Sequence, residues 1–258
     1  MLGFAGLVAV AGTIGLLLIR PVGGAPSRLP RASQPPETLV SLPPLLSTGQ
    51  VYSAFVDGGA AWSGGERTLL STVEAGDLVL PTGRVVASDV FFFTTEPFIR
   101  SLPAGRHPVV LLSSARDPDL VGDIAAAMIR AAPGDPVSWE LALVAGQDPT
   151  TLQPGEFFGY GVDSGTGCFA SAEAVDVLTR GDFDAYSDRI QQGMFPSDDV
   201  ADWKASVEVM VDPATSANVI GFRSGFGDGA YPSWFGLDAN GEPLVLLTDF
   251  GILEVSAS

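Results

Sequence analysis

Beyond residue 47 apolar and polar positions alternate with a period of two over most of the chain, the pattern of strands with one buried face. Leu78-Val79-Leu80 and Arg84-Val85-Val86-Ala87 flank Pro81-Thr82-Gly83, which predicts a hairpin closed by that turn. His107-Pro108-Val109-Val110-Leu111-Leu112 is a strand of the continuous apolar kind. Val137, Trp139, Leu141 and Leu143 alternate with Ser138, Glu140 and Ala142, so Glu140 is expected to face away from Trp139. Ile124 to Arg130 carries the alanines of a helix but is assigned to a strand, directly ahead of the Trp139 strand across Pro133-Gly134. Further strands are expected at Ser206–Val211 and Asn218–Phe222. Trp234–Leu237 and Leu244–Thr248 should form a last hairpin around Asp238-Ala239-Asn240-Gly241, whose Asn-Gly pair can take positive φ.

The pattern changes to a helical one once. Ser171 suits an N-cap, Glu173 the first turn, Arg180 the last turn and Gly181 the C′ position, predicting a helix from Ser171 to about Arg180. A second short helix is expected from Phe183 to Gln191. Strands, then helix, then strands make an α+β fold, predominantly antiparallel β-sheet with one or two helices.

Ahead of this lies a different kind of sequence. Met1 to Ile19 is uncharged and mostly apolar, and as a helix would reach about 28 Å, close to the hydrocarbon thickness of a bilayer. It lacks the basic start of a secretory signal, and its best cleavage candidate, Gly23-Gly24-Ala25, runs into Pro26. A single-pass transmembrane helix over residues 1–20 is therefore expected, with residues 2–20 in the membrane. A signal peptide and a start codon lying downstream are the alternatives. Arg20, Arg28 and Arg31 all follow the apolar run, so the positive-inside rule places the globular part in the cytoplasm. Seven prolines among Gly and Ser make residues 21–46 an extended linker, and residues 47–258 a single globular β-rich domain.

Charge narrows the partners. The chain carries −17, but its first 36 residues hold three arginines and no acid, leaving ten basic and thirty acidic residues, net −20, on the remainder. Such a surface repels nucleic-acid phosphate and attracts basic proteins or cations, so no nucleic-acid partner is expected. Cys168 and His107 are the only residues of their kinds, which excludes an internal disulfide and a Cys/His zinc site. Any metal site would have to be oxygen-lined.

Two glycine-dense segments stand apart from ordinary fold-holding sequence. Gly159-Tyr160-Gly161-Val162-Asp163-Ser164-Gly165-Thr166-Gly167-Cys168-Phe169 ends a strand with backbone freedom that lets a ligand approach closely. Ser224-Gly225-Phe226-Gly227-Asp228-Gly229-Ala230-Tyr231 repeats the device with an acid at its centre. Gly161, Asp163, Gly165, Thr166, Gly167, Ser224, Gly227, Asp228 and Tyr231 are the candidate ligand-binding residues, and Asp163, Asp228 and Cys168 the candidates for catalysis. Asp163, Asp228 and Asp249, with Glu140 and Asn218, could converge on a divalent ion. The competing explanation is turn chemistry, since Asp beside Gly bonds its own backbone. Cys168 could be a nucleophile at the head of the Ser171 helix, with His107 as the sole available base, or a buried inert thiol. No cofactor or metal is assigned.

Leu80–Ala87, Trp139–Ala142, Phe158–Phe169, Ser224–Tyr231, Gly236-Leu237-Asp238 and Thr248-Asp249-Phe250 together resemble the bacterial family catalogued as domain of unknown function 4241. The resemblance covers roughly Gly83 to Phe250 and implies one intact domain, without implying an activity. The chain departs from the family pattern in its apolar N-terminus and at Ala170-Ser171, where the family tends to place an acid. Val162-Asp163-Ser164-Gly165-Thr166 also matches the aspartic-protease signature, but the second copy which that chemistry requires is absent. Two functions follow as expectations: a non-catalytic binding or regulatory module for a basic protein at the membrane, or a hydrolase or transferase using Asp163 and Asp228 with an oxygen-ligated divalent metal. Both need the two glycine-framed loops to lie side by side.

Overall fold

The computed structural model describes residues 45–93, 96–115, 122–181 and 183–255. The expected membrane helix and almost all of the linker lie outside these residues. Among the described residues no helix is long and apolar enough to cross a membrane.

The first element is a helix that the period-two reading did not predict. The Ser47 hydroxyl accepts from the Gln50 backbone N–H while the Gln50 side chain accepts from that of Ser47, a reciprocal cap that starts α1 (Thr48–Asp57). Val51, Ala54 and Phe55 form its buried face, which packs on strands β2 (Glu66–Leu80) and β13 (Pro243–Asp249).

Thirteen strands among the described residues pair antiparallel throughout. Seven make one sheet, in the order β1 (Gly59–Ser63), β2, β4 (Gly105–Ala115), β5 (Asp123–Arg130), β13, β12 (Ser233–Leu237), β6 (Ser138–Leu141). Four make a second, in the order β3 (Val85–Asp89), β8 (Thr166–Ser171), β10 (Ala217–Arg223), β9 (Ser206–Asp212). The last two, β7 (Tyr160–Val162) and β11 (Gly229–Tyr231), form a separate ribbon. Residues 124–130 are a strand as expected, and every residue from Ile124 to Ile129 is buried, so both faces of β5 are covered.

Period-two alternation sorts the four-stranded sheet into two faces. Val85, Ala87, Phe169, Ile220 and Phe222 point into the core shared with the seven-stranded sheet. Val86, Cys168, Ala170, Ala217 and Val219 point the other way, onto α2 (Ala172–Leu178) and α3 (Phe183–Met194). Ser171 caps α2 by accepting from the Ala174 N–H at 3.0 Å. Tyr186, Ile190 and Met194, each four apart, are the buried stripe of α3; burying Ile190 and Met194 stabilises the layer by about 1.5–3 kcal/mol each. The helix lies so close to β9 that a Cβ on Gly193 would strike Val207. The α+β antiparallel architecture is thus present, with three α-helices among the described residues where one or two were expected. Gly181 does not take the left-handed conformation of a C′ glycine; α2 ends instead at Thr179, in right-handed helical geometry.

The hairpin expected over residues 78–87 is not one. Gly83 does turn the chain, with φ +80 and its N–H on the Leu80 carbonyl at 3.3 Å, but the turn carries it from one sheet to the other. β2 pairs with β1 and β4, whereas β3 pairs with β8. The backbone edges beside the turn are taken by Leu102, bonded to Gly83, and Phe98, bonded to Val85. The final hairpin does form, β12 against β13. Its turn is closed by the Asp238 carboxylate, which accepts from the Asn240 and Glu242 N–H groups, and only Gly241 has positive φ.

Candidate functional site

The two glycine segments meet in the small ribbon. Tyr160 pairs with Tyr231, Gly161 with Ala230 and Val162 with Gly229. Asp163 follows Val162 and Asp228 precedes Gly229, so each aspartate leaves its strand just beyond the last pair of the ladder. Glycine is required where the backbones touch: a Cβ on Gly159 would lie 2.5 Å from the Tyr231 carbonyl oxygen. The loops join again past the ladder, where the Ser224 N–H donates to the Gly165 carbonyl at 3.2 Å and a Cβ on Gly165 would sit 3.7 Å from the Gly227 Cα. The Gly227 carbonyl is held from both sides, accepting from the Ser224 hydroxyl at 3.0 Å and the Tyr231 hydroxyl at 2.7 Å.

Beneath the first loop lies a residue that the sequence reading missed. Asp89, the last residue of β3, is 1 % exposed. One of its carboxylate oxygens accepts from the Asp163 and Ser164 N–H groups, both at 2.8 Å, and the other from the Phe91 N–H at 2.7 Å. A buried acid is costly without such donors. Asp89 thereby fixes the turn that presents Asp163. The signal was an acid ending a strand, Val85-Val86-Ala87-Ser88-Asp89, whose other residues are apolar or small.

The candidate residues divide by exposure. Gly161, Asp163 and Asp228 face solvent, and Ser164, Gly165 and Gly227 are partly open. Thr166, Gly167, Ser224 and Tyr231 are buried and act as scaffold. Gly167 sits under the Phe222 ring and the Tyr160 hydroxyl, which is buried, faces Thr248 and makes no well-formed hydrogen bond. Burial raises the pKa of that hydroxyl. Burial also raises that of Tyr231, helped by the charge of Asp228. None of the ion pairs among the described residues involves Asp163 or Asp228.

The wider metal set does not converge. Glu140 is engaged by Arg100 at 2.8 and 3.1 Å on the β6 edge of the large sheet. Asn218 is buried, with its amide spent on β2 and Glu208. Asp249 lies next to the second loop, its N–H on the Pro232 carbonyl, and its carboxylate accepts from the Gly251 N–H at 2.8 Å. Among the described residues no three His, Cys, Asp or Glu side chains gather as a metal-holding group.

Cys168 is fully buried in β8 between Ser88 and Gly221, and burial, reinforced by the charge of Asp89, raises its pKa. A nucleophilic thiol needs the opposite shift. His107 lies in the other sheet, on β4, with its ring nitrogen 2.7 Å from the Pro103 carbonyl, and offers Cys168 no base.

Residues 78–248, which include Asp89 and both loops, match the family model described as Protein of unknown function (DUF4241). No curated protein and no solved structure matches the chain.

Proposed function

From the premise that the chain belongs to the DUF4241 family, whose description assigns no activity, we propose that its globular part is a non-catalytic binding or regulatory module for a basic protein. The observation that carries this reading is the ribbon that joins the two loops, with solvent-facing Asp163 and Asp228 just beyond its last pair and in none of the ion pairs among the described residues. A net −20 beyond residue 36 draws a basic partner toward them. Among the described residues Cys168 is buried and His107 is bonded elsewhere, so neither joins the pair as nucleophile or base. Residues 2–20 hold the module at the membrane with residues 47–258 in the cytoplasm, a reading supported by the uncharged run and the three arginines that follow it.

Isothermal titration of the full chain with a lysine- and arginine-rich peptide tests the binding role. Asp163→Asn with Asp228→Asn should weaken association by about tenfold, the sum of two exposed charges worth about 0.7 kcal/mol each. Unchanged affinity would remove the reading. The two exposed aspartates at the end of one ribbon also favour a second reading, a hydrolase or transferase with a divalent metal. A rise in Tm on adding Mg, Ca or Mn that the same double variant abolishes would select it over the first. Orientation is read by a phosphatase fused after Ser258, where periplasmic activity overturns the cytoplasmic placement.

A further inference from the structure

We propose that the free edge of β6 receives an extended segment of another protein as an eighth strand of the large sheet. This surface does not use the aspartate loops, and the inference goes beyond the reading above. β6 ends the seven-stranded sheet and pairs only with β12. Its register shows which groups are spare. Leu141 lies opposite Trp234, and one step further on the Ala142 N–H donates to the Ser233 carbonyl at 2.8 Å. In an antiparallel ladder, alternate residues turn their N–H and C=O groups to the same neighbour. Ala142 and Glu140 therefore serve β12, whereas Trp139 and Leu141 direct their N–H and C=O groups outward. No backbone or side-chain group among the described residues bonds them there. The other sheet ends are treated differently. The Trp62 carbonyl of β1 accepts from the Glu254 N–H at 2.8 Å, and the Val85 carbonyl of β3 from the Phe98 N–H at 3.0 Å. The Met210 carbonyl of β9 accepts from the Arg189 guanidinium at 2.7 Å. An edge left unpaired is a template for another strand.

The flanks of this edge say what the added strand carries. On one face Trp139 packs against Tyr52 of α1, ring centroids 5.7 Å apart. Glu140 points to the other face. There Ile99, Arg100, Glu140 and Leu143 line an open cleft of about 280 Å³, room for a side chain or two. Ile99 is 65 % exposed, yet its backbone is held, its N–H donating to the Leu143 carbonyl at 2.8 Å. Arg100 grips Glu140 at 2.8 and 3.1 Å and the Gly241 carbonyl at 3.1 Å. The cleft wall is thus bonded in place, which lowers the entropy lost on binding. Arg100 and Glu140 neutralise each other, so the cleft suits an apolar side chain. Spare backbone groups make the occupant a strand, every second side chain of which faces the cleft. Charge removes the competing occupants: a second copy of this chain brings its own net −20, and an acidic segment is repelled likewise. The segment that fits is extended, rich in β-branched residues and free of acids.

The test measures binding of a short labelled peptide of alternating valine and threonine, capped to carry no charge, to the full chain. The same peptide N-methylated throughout keeps the side chains and loses every backbone donor, so it should not bind. Leu141→Pro removes an outward donor and sets a ring in the path of the added strand, while costing β12 no bond. Affinity should fall by about tenfold. Ile99→Ser alters an exposed side chain and keeps the backbone bond to Leu143, so it reads the cleft even if the proline variant fails to fold; it should weaken binding about fivefold. Because the peptide is uncharged, its Kd should change little between about 10 and 150 mM sodium chloride, where that of a lysine- and arginine-rich peptide rises. The two readings therefore fail separately. No binding, equal binding of the methylated peptide, or an affinity unmoved by both variants overturns the inference. A dimer of the native chain that Leu141→Pro dissociates would give the edge to a second copy and overturn it too.

Discussion

Asp89 gathers three backbone N–H groups from two segments 74 and 75 residues apart in one case and two apart in the other. Removing the carboxylate strands those donors, at roughly 1 kcal/mol or more each. Asp89→Ala should therefore lower Tm by about 6–12 °C in a domain of this size. Hydrogen exchange at the Asp163 and Ser164 amides should quicken before that of β8; equal protection in both proteins would show that the loop is braced by other means. Nothing near Asp89 in sequence names Asp163 and Ser164 as its partners, because those bonds span 74 and 75 residues. Asp249 gives a pH-dependent counterpart. Burial raises its pKa, so folding disfavours the ionised form, and the cost is present at neutral pH and vanishes as pH falls below the ordinary aspartate value. Asp249→Asn keeps an acceptor for the Gly251 N–H. The variant should melt above the native protein at pH 7, and the two curves of Tm against pH should converge on acidification. Parallel curves would mean that burial does not disfavour the charge.

At the scale of elements, the second half of β2 explains both a misreading and a bond that sequence could not supply. Leu78 to Leu80 reads as one arm of a hairpin, and Gly83 does make the turn. A turn residue fixes a reversal of the chain, but which strand takes the free edge is set by packing. β1 covers β2 only from Glu66 to Leu70, so the far end of β2 has an open edge facing β10. The Asn218 amide closes it as a peptide group would: its oxygen accepts from the Val79 N–H at 2.8 Å, and its nitrogen donates to the Asp77 carbonyl at 2.8 Å and to Glu208 at 2.9 Å. An asparagine in a strand offers no hint that it serves a strand of another sheet, which is why it was legible only as a possible ligand. By contrast, Ser171 before α2 and the Asp238–Gly241 turn act on their own neighbours and were readable locally. Asn218→Ala should cost about 2–4 kcal/mol by leaving the Val79 and Asp77 groups unpaired. Asn218→Asp should cost more, since it sets a buried carboxylate against the Asp77 carbonyl and Glu208. Chemical denaturation of the three proteins checks the order, and an aspartate variant as stable as the native chain would contradict it.

Across the whole molecule, the acidic surface acts on the fold and on its partner with opposite signs. Twenty excess negative charges beyond residue 36 repel one another, and that repulsion weakens as salt shortens the Debye length to about 10 Å at 0.1 M. The same screening weakens attraction to a basic peptide. Three ion pairs of the described residues, Arg84–Glu173, Arg100–Glu140 and Arg106–Asp77, all retain solvent exposure, so losing them to salt costs about 0–1 kcal/mol each at most. Repulsion should win, and Tm should rise between about 10 and 150 mM sodium chloride while the peptide Kd also rises. The two trends separate causes that a single measurement would confuse. If binding weakened because the fold loosened in salt, Tm would fall together with affinity. A falling Tm would instead place the stability of the domain in its surface ion pairs, and the net charge would then have no claim to be the attraction that the loops focus.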